Sequence, residues 1–89
     1  MTEHYNIHIT GYVQGVGFRY SARKAALLNH INGFVRNEPD GRVYIEAEGT
    51  PQDLQNFMEW CKKGNSLSRV TGVTFVKNSV TGFSEFNIY

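Results

Sequence analysis

The sequence predicts an α+β two-layer sandwich in which two helices cover one face of a largely antiparallel sheet. Segments with the two-residue alternation of strands flank two segments with the composition or spacing of helices, in the order β-α-β-β-α-β followed by one more strand. The chain has 89 residues, 40% of them hydrophobic, which is enough for one small core and leaves no room for a second module. We therefore expect a single domain spanning residues 1–89.

The first strand and helix are predicted on either side of a loop that contains two glycines. Apolar side chains alternate with mostly polar ones over Tyr5–Val13, as in a strand with one buried face. The loop Gln14–Gly17 follows, and Phe18–Ile31 is predicted to be a helix because it is rich in Ala and Leu and contains neither Gly nor Pro. Its apolar spacing is imperfect, since Asn29 joins the main apolar face and Leu27 lies outside it.

A hairpin and a second helix are predicted next. Phe34–Glu38 and Val43–Glu48 are two short alternating segments separated by the turn residues Pro39-Asp40-Gly41, which indicates a β-hairpin. The second helix is predicted to begin after the N-cap Thr50 and to end at Gly64. Its apolar stripe has the i, i+3, i+4, i+7 spacing at Leu54, Phe57, Met58 and Cys61.

Two final strands complete the predicted sheet. Val70–Lys77 and Phe83–Tyr89 are apolar and β-branched enough to be strands, and the polar segment between them connects the two. This order of elements is the ferredoxin-like plan with an extra C-terminal strand. Because that plan serves enzymes, RNA binders and small-molecule sensors alike, function has to be argued from a site.

Charge and cysteine content exclude several classes of protein. Lys plus Arg is 9 and Asp plus Glu is 8, so the net charge of +1 gives no broad attraction for nucleic acid or an anionic membrane. The lone Cys61 rules out an internal disulfide and a multi-cysteine zinc site. No apolar run approaches the ~20 residues that span a bilayer, and Met1–Asn6 lacks a signal-peptide pattern. We expect a cytoplasmic protein that binds neither nucleic acid nor membranes.

The segment Gln14–Arg19 carries the strongest chemical pattern. Two glycines between a strand and a helix let successive amide groups face one point, where the helix start adds unsatisfied N–H groups. Such a place suits a phosphate. Arg19 in the first turn opposes the helix dipole by about 0.3–1 kcal/mol unless an anion lies between them. Spacing alone also fits a purely structural turn with a solvated arginine, and both interpretations stay open at this point.

Other sites are disfavoured by spacing. A dinucleotide fingerprint starting at Gly15 would need its third glycine where Tyr20 stands. Cys61 has no arginine at the spacing of cysteine phosphatases and is expected to be inert core. His4 and His8, four apart on a strand, lie about 13 Å apart, too far to share a metal.

Carboxylates and amides of the predicted hairpin have structural explanations. Glu46 and Glu48 share a strand face with Tyr44, which is expected to be a solvated surface or the face opposite the helices rather than an acid/base pair. Asn37 precedes the turn and, on the residue pattern alone, is expected to prepare it.

Two blocks of the sequence are recognisable. Gly11–Arg19 closely resembles the G-x-V-Q-G-V-G-F-R signature of acylphosphatases. Gly33–Asn37 is similar to the second block of that family, which is Gly, an aromatic residue, Ala or Val, a basic residue and Asn. The resemblance continues through Asp40–Val43 and Ala47–Gly49 into the second helix, so it covers most of the chain. One departure is Gly64-Asn65-Ser66, which lacks the proline that many relatives carry after this glycine.

The resemblance implies hydrolysis of the carboxyl–phosphate bond of acyl phosphates, without metal or cofactor. Carried over to this sequence, Arg19 would bind phosphate and Asn37 would place the attacking water. The residues expected to bind the phosphate are Gln14, Gly15, Val16, Gly17, Phe18 and Arg19, with the backbone amides from Gly15 to Arg19 forming the cradle. A small acyl phosphate is the expected substrate of a monomer, and inorganic phosphate is the expected product or inhibitor.

The chemistry is consistent with so few groups. A carboxylate leaving group has a conjugate acid of pKa near ~4, so it departs without a general acid. Holding the phosphoryl group and aligning water are the remaining tasks. The rival is a non-catalytic module that binds acyl phosphates for a larger enzyme, or single-stranded RNA through Tyr12 and Tyr44. The sequence lacks the RNP-type aromatic run and the basic surplus of such RNA binders.

Overall fold

Seven elements follow one another in the predicted order, and a computed structural model describes all residues from 1 to 89. The strands are β1 Glu3–Tyr12, β2 Asn32–Asn37, β3 Val43–Gly49, β4 Arg69–Asn78 and β5 Phe86–Ile88. The helices are α1 Phe18–Leu28 and α2 Pro51–Lys63. Neither helix has the length and apolar character needed to cross a membrane.

The strands form one sheet in the spatial order β4-β1-β3-β2-β5. β1 pairs antiparallel with β3 and β4, and β2 pairs antiparallel with β3. Only β5 runs parallel to its neighbour, β2. In this register Ile7 opposes Ile45, and Ile45 opposes Val35, so the three buried side chains share one face of the sheet.

Both helices pack on that face. The buried residues of α1 are Phe18, Ala22, Ala25 and Ala26, and those of α2 are Leu54, Phe57, Met58 and Cys61. Thr50 caps α2 as predicted, because its Oγ1 accepts the amide N–H of Asp53 at 3.2 Å. The two-layer α+β sandwich with ferredoxin-like order is therefore confirmed.

The predicted end of α1 at Ile31 is wrong, since the helix stops at Leu28. His30 adopts the left-handed region with φ 59°. The amide of Ile31 bonds to the carbonyl of Ala26 at 2.8 Å and that of His30 to Leu27 at 3.4 Å, which is the Schellman closure of a helix. The closure turns Ile31 into the core, where it is 1% exposed. Sequence inspection missed this stop because histidine replaces the usual glycine.

The bounds of all five strands also differ from the prediction, by one or two residues at the ends of β2, β3 and β4 and most clearly in β1 and β5. β1 covers Glu3–Tyr12 rather than Tyr5–Val13, although Val13 is buried just beyond it. β5 covers only Phe86–Ile88, not Phe83–Tyr89. Around Phe83 the backbone bonds to side chains instead of a strand: its carbonyl accepts from Asn32 Nδ2 at 3.2 Å.

Glu48 lies on the sheet face opposite the helices, one of the two placements expected for it, but it is not solvated, because the side chain is only 4% exposed. Its carboxylate accepts hydrogen bonds from His4 Nδ1 at 2.6 Å, from the amides of Gly82 at 3.0 Å and Phe83 at 2.9 Å, and from the amide of Thr81. The connection from β4 to β5 is thus fastened onto the sheet face opposite the helices.

The protonation of Glu48 is coupled to these contacts. Burial acts to raise the pKa of its carboxyl, but the hydrogen bonds from His4 and from the amides of the connection outweigh burial and hold the pKa below its ordinary value of 4.5. A lowered pKa in the folded state stabilises the fold above the unfolded-state pKa, and this stabilisation is lost as the pH falls through the folded-state value.

Replacing Glu48 by Gln should remove this contribution. We expect the free energy of unfolding at pH 7 to fall by about 1–3 kcal/mol, because buried amide donors lose a charged acceptor. The deficit should shrink as the pH falls through the lowered pKa of the folded carboxyl, since the wild-type side chain then becomes neutral too. Urea unfolding at pH 7 and at acidic pH measures this difference in unfolding free energy. Glu59→Gln, on the exposed face of α2, is the control. A deficit that is the same at both pH values would contradict this explanation.

Candidate active site

A cavity of about 190 Å³ opens where the loop after β1, the first turn of α1 and the ends of β2 and β5 meet. Its lining residues are Val13, Gly15, Gly17, Phe18, Arg19, Tyr20, Asn37 and Ile88. The fold therefore brings Arg19 and Asn37, which lie on different elements, to the same cavity.

Gly15 and Gly17 give the loop between β1 and α1 its shape. Both adopt the left-handed region, with φ of 75° and 73°. A Cβ atom on Gly15 would meet no atom within 4 Å, so backbone conformation rather than crowding favours glycine there. Gly17 is the N-cap of α1, no side chain caps the helix, and its first turn has no acidic residue. The first amide groups of α1 are therefore available to an anion.

Arg19 lies in this first turn and makes one hydrogen bond within the chain, from Nη1 to the backbone oxygen of Tyr89 at 2.7 Å. No Asp or Glu side chain forms an ion pair with it. The contact with Tyr89 restrains the guanidinium, and the remaining N–H donors can bind an anion in the cavity.

Asn37 is the last residue of β2 and pairs with Val43 across the hairpin. Its side chain lies on the same face of the sheet as the fully buried Val35, as strand alternation predicts. Its Oδ1 is buried and accepts no hydrogen bond, an arrangement that is unfavourable by about 1–3 kcal/mol. Asn37 is also one of the residues that line the cavity.

Two residues predicted to bind phosphate, Gln14 and Val16, do not line the cavity. The Nε2 of Gln14 donates to the backbone oxygens of Glu38 at 2.8 Å and Arg42 at 3.0 Å. This side chain therefore ties the loop to the turn that follows Asn37. Val16 is only 6% exposed, and its side chain belongs to the core.

The structure adds residues that the sequence pattern did not indicate. Tyr20 and Ile88 border the cavity, and Tyr89 holds the guanidinium of Arg19. No local spacing could have revealed the last contact, since it joins residues 70 positions apart.

The other candidates lie outside the cavity. Cys61 is fully buried in the core, and burial raises the pKa of its thiol, which suppresses the reactive thiolate. The chain contains no group of three His, Cys, Asp or Glu side chains placed to hold a metal ion. Tyr44 is 9% exposed and lies under the guanidinium of Arg36, 4.8 Å from its ring centre, so its ring is not free to stack on a base.

The lining of the cavity is rich in groups that can bind an oxyanion. Backbone amides and Arg19 provide donors, and Asn37 adds a side-chain amide whose Oδ1 has no partner. The lining contains no Cys, Ser, Thr, His or carboxylate side chain, and its one hydroxyl group is that of Tyr20.

Comparison with known proteins gives a consistent result. The acylphosphatase family model matches residues 5–88. The acylphosphatase of Archaeoglobus fulgidus is 43% identical over 92% of each chain, and that of a Synechococcus species is 41% identical over 98% of this chain and 87% of the relative. The crystal structure of acylphosphatase from Bacillus subtilis has a TM-score of 0.95 at 41% identity, covering 100% of this chain and 99% of that one.

These matches run through both recognised sequence blocks and through every strand and helix of the fold. They confirm the resemblance, and they favour an enzyme over a non-catalytic binding module, because the relatives of similar length are named for the activity. The chain belongs to the acylphosphatase family.

Proposed function

We propose that this chain hydrolyses acyl phosphates in the cavity between Arg19 and Asn37, by in-line attack of water at phosphorus. The reaction class is that of its family, and the positions of Arg19 and Asn37 at one cavity support the roles proposed for them. The observation that carries the proposal is the buried, unpartnered Oδ1 of Asn37 at the same cavity as an arginine that forms no ion pair with an Asp or Glu side chain.

The phosphoryl group would be held by the positively charged side of the cavity. The amides at the uncapped start of α1 donate to its oxygens, and Arg19 adds charge-assisted hydrogen bonds. These donors are fixed before substrate binds, so they stabilise the charge on the equatorial oxygens without reorganising.

The attacking water would be held by Asn37. Its Oδ1 accepts a hydrogen bond from the water and so orients a lone pair of the water oxygen toward phosphorus. The water oxygen forms the new P–O bond, while the bond between phosphorus and the carboxyl oxygen breaks and its electron pair leaves with the carboxylate. The water proton passes to the phosphate product or to solvent, because an amide is not a base. In a loose transition state the nucleophile needs little activation.

We further propose that the chain works as a monomer in the cytoplasm. The loop after β1, the first turn of α1 and the ends of β2 and β5 together form the cavity, which supports a site built within one chain. The one cysteine is a free, buried thiol, which is usual in a reducing compartment.

The purified chain should hydrolyse benzoyl phosphate far faster than a phosphate monoester, because only the acyl phosphate has a leaving group that needs no proton. The activity should persist in excess EDTA, since no metal-ligand cluster is present. Initial rates with and without chelator test both points. Loss of activity in EDTA, restored by a divalent metal, would contradict the mechanism.

Replacing Arg19 by Gln should lower kcat/KM for benzoyl phosphate by about 10²-fold or more, equivalent to about 3 kcal/mol, and should weaken inhibition by inorganic phosphate. Arg23→Gln is a matched control, because Arg23 is also on α1 and also donates to a backbone oxygen, that of Phe86 at 3.0 Å, but does not line the cavity. Equal activities of the two variants would remove Arg19 from the site.

Replacing Asn37 by Ala should lower kcat by about 10²-fold while leaving the inhibition constant of inorganic phosphate nearly unchanged, because water placement and not anion binding is lost. The control is Asn32→Ala at the other end of β2, whose amide donates to Phe83 away from the cavity. If phosphate inhibition disappeared while kcat stayed high, Asn37 would be a binding residue instead.

A further inference from the structure

We propose that Asn65 is a positioning residue that directs the amide N–H of Gly17 into the cavity. This inference rests on the proposed function of the cavity as a phosphate site. Asn65 lies in the connection between α2 and β4, and its Nδ2 donates to the backbone oxygen of Val16 at 2.9 Å and to Oγ of Ser21 at 3.2 Å. It thereby links a distant connection to the loop that starts α1.

The carbonyl held by Asn65 belongs to the peptide group whose N–H is that of Gly17. The Val16 carbonyl accepts no backbone hydrogen bond, so Asn65 is its partner within the chain. In a planar trans peptide the C=O and N–H point to opposite sides. Gly17 lines the cavity whereas Asn65 does not, so Asn65 holds the carbonyl from outside and leaves the N–H turned away from it, toward the anion.

The side chain of Asn65 works from a fixed base. The backbone N–H of Asn65 donates to Oγ of Ser68 at 3.0 Å. The backbone oxygen of Asn65 accepts from that hydroxyl at 2.9 Å and from the backbone N–H of Ser68 at 3.2 Å. A rotated side-chain amide would place Oδ1 against the Val16 carbonyl, so only one orientation is favourable. That orientation leaves Oδ1 buried without a partner, which shows that the donors are the groups in use.

This contact is not a feature of the recognised sequence blocks. Asn65 lies outside both blocks, in the segment Gly64-Asn65-Ser66. The hydrogen bond to Val16 therefore joins the first block to a residue outside it.

The inference can be tested on the wild-type chain with inorganic phosphate as the probe. In a 15N–1H NMR titration, the Gly17 amide proton should move downfield as phosphate saturates the cavity, because it becomes a donor to an anion. Asn65→Leu keeps a similar side-chain shape but removes the donor. We expect this variant to bind phosphate about tenfold more weakly, to lose most of the Gly17 shift and to retain the shift of the Gly15 amide.

Ser68→Ala is the matched control, because it removes hydrogen bonds from the same connection between α2 and β4 but keeps the side-chain amide of Asn65. Its phosphate affinity should fall by less than that of Asn65→Leu, because the Nδ2 donor remains. The inference is overturned by a wild-type Gly17 amide that does not respond to phosphate, by unchanged affinity in Asn65→Leu, or by equal losses in Asn65→Leu and Ser68→Ala. If the wild type neither binds phosphate nor hydrolyses benzoyl phosphate, the proposed function fails as well, whereas any of the first three results with an active wild type leaves that function standing.

Discussion

The left-handed turn through Gly15 and Gly17 is the constraint on which the cavity depends. It ends β1 and begins α1 without a capping side chain, so the first amides of the helix have no partner within their own element. Arg19 then places a cation against the positive end of the helix dipole. Nearby, Asn37 has a buried acceptor, Oδ1, without a hydrogen-bond partner. Each feature alone is locally unfavourable, and their convergence in one cavity is typical of a functional site.

Hydrogen bonds from three distant parts of the chain hold this arrangement. Gln14 binds the carbonyls of the β2–β3 turn, Asn65 binds the carbonyl of Val16, and the backbone oxygen of Tyr89 accepts from Arg19. The supporting groups of Gln14, Asn65 and Tyr89 do not have to touch a substrate to hold the cavity in shape. The positions of the groups around the cavity therefore depend on such supporting contacts.

The sequence predicted the layers of the fold because buried residues recur at the correct period. The stripe from Leu54 to Cys61 and the alternation around Ile7 gave the correct faces without long-range information. The two recognised sequence blocks also pointed to Arg19 and Asn37, and both line one cavity. For these two residues, the residue type at its place in the sequence block was enough to indicate a position at the cavity.

What could not be predicted depends on contacts that are remote in sequence. Glu48 looks like a surface residue in its strand pattern, and only the folded connection with its free amides makes it buried. His30 ends α1 in a conformation that histidine seldom adopts. Gln14 resembles a phosphate ligand within its signature, yet the turn carbonyls across the hairpin take its donors.

The shortness of β5 has a consequence for how the molecule fails. The strand is three residues long and lies at the edge of the sheet, and the partner of Arg19 comes directly after it. Fraying of such an edge requires far less free energy than global unfolding. Activity can therefore be lost while most of the chain stays folded. Under mild denaturing conditions, we expect enzyme assays to show a loss that circular dichroism does not detect.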